Sequence, residues 1–211
     1  MLFRSVVLDW RSDGRRHQAR RNLDILTPLT LTTDDLSCVL GLLEEEKKEA
    51  RQFLTSFRKK YSLLVGFHPG AGKIPNRWNA DRFASVANRL HKEFNAGIVI
   101  TSGPMDREPV AEMLSHLTCE YLLVERQSIR NVAAILDTLD LYVTNDTGTM
   151  HIAGAVSTSV LALFGPTDPL QWAPLNQKNH YIAAKDGDMN LILEGEVFDM
   201  ASLMLQQSKH L

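Results

Sequence analysis

An Asn-Asp pair, a glycine between two threonines, and a histidine five residues beyond the aspartate stand together in Leu141-Tyr-Val-Thr-Asn-Asp146-Thr-Gly-Thr-Met-His151. The apolar run at the front reads as a buried strand. Asp146 reads as a helix N-cap, and Thr147-Gly148-Thr149 opens a small-residue helix through Ile152, Ala153, Ala155 and Val156. A strand feeding straight into a helix start presents unpaired backbone N–H groups at the positive end of the helix dipole. Phosphate oxygens are held at such starts without a dedicated cationic side chain. Gly148 lacks a Cβ, which lets a diphosphate approach the backbone closely. An ordinary capped helix is the plain alternative, because Asp and Thr cap helices of every kind.

The elements that must position this turn recur along the chain from Ser62 onward. Apolar runs fall at Leu63–Phe67, Ile98–Ile100, Tyr121–Val124, Leu141–Val143 and Val160–Phe164. Unbroken aliphatic and β-branched runs of this length fit parallel strands covered on both faces. Helical patterns lie between them: Ala80 to Phe94, Pro109 to Leu117, Ile129 to Leu139 and Thr149 to Val156. The alternation predicts an α/β fold built on a doubly wound, Rossmann-like parallel sheet. Ligands of such sheets bind beyond the carboxyl ends of the strands. Those ends carry His68-Pro-Gly-Ala-Gly-Lys73, Ser102-Gly-Pro104, Asn145-Asp-Thr-Gly148 and Gly165-Pro-Thr-Asp-Pro169, loops rich in Gly, Pro and Asp along one edge. Their clustering says more than any one loop.

Residues 1–60 differ in composition and read as a helical appendage to the Rossmann-like domain at 61–211. Six arginines crowd residues 1–21, and a charged helix starts near the caps Thr33 and Asp34, carries Glu44-Glu-Glu-Lys-Lys-Glu49 and ends near Lys60. The charge run reads as a solvated helix face, with Leu54 and Phe57 supplying the buried side. The whole chain of 211 residues is 44% hydrophobic, enough for one sizeable core. A formal charge of −2 excludes a general nucleic-acid binder. Cys38 and Cys119 lack disulfide or metal spacing and point to a reducing compartment. The sequence carries neither a membrane-length apolar run nor an opening signal peptide, so a cytoplasmic protein is expected.

Two phosphate motifs fail on inspection. Between Gly66 and Gly72 lie five residues where a P-loop needs four, and Lys73 is followed by Ile74 instead of Ser or Thr. A Gly-x-Gly-x-x-Gly fingerprint fails because Gly70-Ala-Gly72 runs into Pro75 without a third glycine. That absence also argues against a relative of the UDP-sugar epimerases.

His68-Pro-Gly-Ala-Gly followed by Arg77-Trp78, then Ser102-Gly-Pro, Asp146-Thr-Gly-Thr-Met-His151 and Phe164-Gly-Pro-Thr-Asp-Pro169 with Trp172 and Pro174, together resemble glycosyltransferase family nine. Its best-known members are ADP-heptose:lipopolysaccharide heptosyltransferases, two-domain enzymes of the B-type glycosyltransferase fold. The resemblance covers residues 20–205 and implies the C-terminal, donor-binding half. Asn22–Leu26 resembles the stretch that joins the halves. The implied ligand is an ADP-sugar donor, with no cofactor and no metal. The implied partners are a lipopolysaccharide-core acceptor or a chain that supplies the N-terminal domain, at the cytoplasmic face of the inner membrane.

On this reading Thr147, Gly148 and Thr149 hold the donor diphosphate, and Lys73 and Arg77 add charge-assisted bonds. Asp146, an anion poorly suited to phosphate, serves the sugar hydroxyls or the cap. Asp106 and Glu108 either accept from the ribose hydroxyls, as the resemblance implies, or are first-turn helix acids favoured by the dipole. His151 is a turn residue or a phosphate contact, and Gly72 is a further candidate beside Lys73. Trp78 and Trp172 read as packing residues before base-stacking platforms. Two features depart from the family pattern. Asn76 stands where the family usually has lysine, and no counterpart is recognisable to the acceptor half with its Gly-Asp loop, the source of the proposed catalytic base. Asp9 and Asp13 lie near the start among Trp10 and arginines, a setting unlike that loop. The chain alone is therefore expected to transfer no sugar, and a non-catalytic nucleotide-sugar-binding module or truncated remnant acting with a partner subunit is the alternative reading.

Overall fold

The computed structural model describes residues 16–208. Asp9 and Asp13 lie outside them. Six parallel strands form one sheet: β1 (Leu63–His68), β2 (Ala96–Ser102), β3 (Tyr121–Glu125), β4 (Leu141–Asn145), β5 (Ser159–Phe164) and β6 (His180–Ala183), in the order β3-β2-β1-β4-β5-β6. The order reverses between β1 and β4. Connections leave these two strands in opposite directions and open a crevice beyond their carboxyl ends.

The helices are α1 (Gln18–Asp24), α2 (Glu44–Lys60), α3 (Ala80–Phe94), α4 (Arg107–His116), α5 (Ile129–Leu136), α6 (Gly148–Gly154), the short α7 (Pro169–Trp172) and α8 (Glu194–Ser208). Side-chain alternation along each strand feeds two cores. Leu63, Val65, Phe67, Ile98, Ile100, Val143 and Leu161 face α3, α4 and α8 through residues such as Phe83, Leu90, Met113 and Val197. Leu64, Val99, Tyr142, Ala162 and Phe164 face α2, α5 and α6 through Leu54, Phe57, Ala134, Ile135 and Ala153. Both faces are dry, which is why the strands read as continuous apolar runs.

Helix α2 belongs to the second of these layers. Where the sequence assigns it to an appendage, its buried residues Ala50, Leu54 and Phe57 cover the sheet directly. Two ties fix it there. Arg58 bonds the Asp140 carboxylate (2.9 Å), and Arg130 of α5 forks onto both oxygens of Glu46. The expected helix start at Thr33 and Asp34 is incorrect. Thr33 Oγ1 instead accepts the Asp35 N–H and Asp35 Oδ1 the Ser37 N–H, so these side chains close local turns that compete with a helix. The helix begins at Glu44, where Glu46 reaches back to the Leu43 N–H at 2.7 Å.

Candidate functional site

The site is assembled by one fully buried amide at the end of β4. Asn145 Oδ1 accepts the Trp78 backbone N–H (3.0 Å), and its Nδ2 donates to the carbonyls of Pro69 (2.9 Å) and Gly70 (3.2 Å). A single side chain thus fastens the loop after β1 to the end of β4, across the switch point. Trp78 is itself buried and donates Nε1–H to the Ile192 carbonyl at 3.1 Å, the packing role expected for it.

Beyond Asn145 the chain turns directly into α6. The cap sits one residue later than the sequence suggests: Thr147, in extended conformation, is the N-cap, and its side chain makes no cap bond. Asp146 is free of that duty because its Oδ2 accepts from Asn76 Nδ2 at 3.2 Å, while the same nitrogen donates to Thr167 Oγ1 at 3.0 Å. Among the described residues the N–H groups of Gly148 and Thr149 find no backbone acceptor; the first paired N–H of the turn is Met150, to the Thr147 carbonyl. A Cβ added at Gly148 would meet nothing within 4 Å, so the first turn of α6 has open space beside it.

The other expected residues gather around this turn to differing degrees. Arg77 folds back, its Nε donating to the Ala71 carbonyl at 2.9 Å. Lys73 is exposed at the start of the one-turn segment Ile74–Asn76, and Gly72 beside it is exposed and open. His151 lies 6.3 Å, ring to ring, from Trp172. The imidazole is held below its ordinary pKa by desolvation, with Asp146 opposing and His17 of the N-terminal segment reinforcing the shift.

Asp106 has turned inward. Its Oδ2 accepts the Gly103 N–H at 2.8 Å and lies 3.5 Å from Nε2 of buried His68. Its Oδ1 rests where a Cβ on residue 70 would be, only 2.0 Å away, which is why only glycine fits there. Glu108, two residues on in the first turn of α4, is the acid of the pair that faces solvent. His68 Nδ1 meets the Thr101 hydroxyl at 2.9 Å, and that hydroxyl meets the buried Tyr142 phenol at 2.7 Å. Burial drives the His68 pKa down against the Asp106 charge, and drives Tyr142 up to about 12. Both groups are neutral at physiological pH and form a polar floor beneath the edge loops.

Above that floor lies a cavity of about 700 Å³. Ser102, Gly103 and Pro104 form one side, Ile129, Val132 and Ile152 an apolar wall, and Thr149 joins it to the α6 turn. Arg107 and Arg126 also line it, and neither guanidinium has a hydrogen bond or ion pair among the described residues. Arg126 has φ of 55°, a left-handed backbone that costs a side-chain-bearing residue about 1–2 kcal/mol. The sequence reading passed over Glu125-Arg126-Gln127. The available signal was its place after a parallel strand on the same edge; the absence of Gly and Pro hid it. Among the described residues, no group of three or more His, Cys, Asp or Glu side chains is placed to hold a metal. Nor is any described helix long and apolar enough to cross a membrane.

Comparison with known proteins gives a consistent match. The family model of glycosyltransferase family 9 (heptosyltransferase) matches residues 2–194. Lipooligosaccharide heptosyltransferase 2 of Haemophilus influenzae is 30% identical over 175 residues, covering 77% of this chain and 50% of that protein. The chain thus spans about half the length of the curated relatives it matches. A family 9 glycosyl transferase from Veillonella parvula superposes with a TM-score of 0.82 at 24% identity, over 98% of this chain and 62% of the other. The Escherichia coli ADP-heptose lipopolysaccharide heptosyltransferase II gives 0.73 at 24% identity, over 84% and 56%. These superpositions establish the Rossmann-like fold of a B-type glycosyltransferase half.

Proposed function

The chain belongs to glycosyltransferase family 9, and from that premise we propose that it holds a nucleoside diphosphate sugar, of the ADP-heptose kind, at the β1/β4 switch point. The observation that carries the reading is the continuity of two features. The N–H groups of Gly148 and Thr149, without a backbone acceptor among the described residues, belong to the same turn as Thr149, which helps to line a cavity. Its volume of about 700 Å³ falls within the range of small-molecule sites.

The roles follow from chemistry. Thr147, Gly148 and Thr149 offer hydrogen bonds to the diphosphate, and Lys73 and Arg77 add positive charge beside it. Asp146, with one oxygen engaged by Asn76, keeps the other for sugar hydroxyls. Glu108, with Asp106 behind it, serves the ribose. His151 and Gly72 complete the rim. Departure of the nucleoside diphosphate builds negative charge, and preorganised N–H donors stabilise that charge without reorganising. We place the acceptor in the lipopolysaccharide-core class and the protein in the cytoplasm. Transfer requires a base at the acceptor hydroxyl and a domain closing over the cleft, supplied by further chain or a partner.

Calorimetric titration of the purified chain with ADP, UDP, GDP and their sugar conjugates tests this. ADP and an ADP-sugar are expected to bind, with no magnesium added. Absence of heat and of thermal stabilisation with every nucleotide would overturn the reading.

A further inference from the structure

We propose that Arg126 is the nucleobase-contacting residue of the cavity, its planar guanidinium covering one face of the base opposite the apolar wall. The proposal rests on the donor-binding reading and extends it to a residue outside the phosphate turn.

Three observations converge on this side chain. It lines the cavity. It has no hydrogen-bond or ion-pair partner among the described residues. Its backbone is left-handed, at a position where glycine would be the unstrained choice. The other left-handed residues that carry side chains, Thr30, Asn95 and Asp186, line no part of the cavity. Strain kept at one position of a ligand cavity, by a residue with no structural partner, points to a contact made only with the ligand.

The sheet order decides which part of the ligand that is. β3 lies three strand spacings from β4, so the end of β3 is about 14 Å along the sheet edge from the phosphate turn. A nucleoside diphosphate resting its phosphates on Gly148 and Thr149 and running along the cavity brings its base, not its phosphates, to the β3 end. The groups waiting there are Ile129 and Val132 of α5 and a guanidinium without a partner among the described residues, while Ile152 of α6 continues the apolar wall toward the phosphate turn. Arginine is weakly hydrated, planar, and stacks on aromatic faces in a way that lysine does not.

The test compares ADP with inorganic pyrophosphate, which lacks the nucleoside, on the full chain and on Arg126→Gly and Arg126→Lys. Arg126→Gly is expected to weaken ADP binding about 10-fold, the scale of one lost stacking contact. It should leave pyrophosphate within about two-fold and the melting temperature no lower, since glycine relieves the left-handed strain. Arg126→Lys should lose most of the same increment, because it keeps the charge but not the plane. The proposal is overturned by ADP affinity within two-fold of the parent in Arg126→Gly, by equal losses for ADP and pyrophosphate, by full activity of the lysine variant in ADP binding, or by a fall in melting temperature above about 4 °C. No ADP binding by the parent chain would overturn the donor reading with it; ADP binding that Arg126→Gly leaves untouched would overturn this proposal alone.

Discussion

Gly148→Val separates binding from folding more cleanly than any other change at the site. Gly148 is the first residue of α6, is exposed, and does not need positive φ. A Cβ there meets no atom within 4 Å, so the substitution neither overpacks nor strains the fold. Helix propensity moves a few tenths of a kcal/mol in favour of valine. The melting temperature of the free chain should therefore stay within a degree or two of the parent, on the order of what such an energy produces in a domain of this size.

Binding should respond very differently. The two valine methyls would crowd the space a diphosphate needs to reach the Gly148 and Thr149 N–H groups, which have no backbone acceptor among the described residues. Hydrogen bonds to a charged partner contribute about 1.5–3 kcal/mol each, so losing two removes about 3–6 kcal/mol. Even the lower figure is more than about 100-fold in Kd. Titration calorimetry with ADP, alongside circular dichroism and thermal melts, reads both quantities on the same sample. A Kd within about three-fold of the parent, with an unchanged dichroism spectrum, would refute the assignment of this turn to the diphosphate.

Asn145→Ala is expected to destabilise by about 3 kcal/mol, because it strands the Trp78 N–H and two carbonyls in a dry interior. Urea melts would show this, and a loss below about 1 kcal/mol would contradict the stitching role. His68 and His151 are both held below the ordinary imidazole pKa by desolvation, so the folded chain binds fewer protons than the unfolded one just below about pH 6.5. Stability is therefore complete above that value and falls as the pH drops through it; a flat profile of urea midpoints between pH 7.5 and 5.5 would contradict this, and His151→Gln should make the slope shallower. Asn76→Lys, which places an ammonium beside Asp146, is expected to tighten ADP binding about five- to ten-fold at low salt, with the gain shrinking as salt screens it. Equal affinities at 20 mM and 500 mM salt, or no gain at low salt with the fold intact, would count against a diphosphate at this edge.

The sheet was legible because its strands are buried on both faces and its helices are amphipathic. Ala80 to Phe94, read from the spacing of Phe83, Val86, Ala87 and Leu90, is the helix found, to the residue. All five apolar runs became strands. The sixth strand, His180–Ala183, escaped because an edge strand alternates between half-buried and exposed positions and offers no apolar run. The start of α2 was missed for a different reason: Thr33 and Asp34 look like caps, but a cap signal is a local hydrogen-bonding capacity that turns use equally well. Arg126 was invisible because only the backbone angle marks it, and glycine, the residue that advertises such an angle, is absent.

The harder part of the site to read from sequence is its charge. A diphosphate seated on a turn that begins at an aspartate would place like charges side by side, and in the structure that aspartate is bonded by a neutral amide. Asn76 Nδ2 bridges Asp146 Oδ2 and Thr167 Oγ1, tying the carboxylate to the loop after β5. The lysine that the family resemblance leads one to expect at position 76 would neutralise that carboxylate; asparagine orients it but leaves its charge in place. Positive charge for a diphosphate must then come from Lys73, from the Arg77 guanidinium, whose Nε is tied to the Ala71 carbonyl, or from His151 once protonated. A field assembled from cations at the solvent-facing rim is weaker and more easily screened than one from a buried lysine. Donor affinity in this chain should accordingly depend more on backbone hydrogen bonds at Gly148 and Thr149 and on the cavity's grip on the nucleoside than on charge attraction.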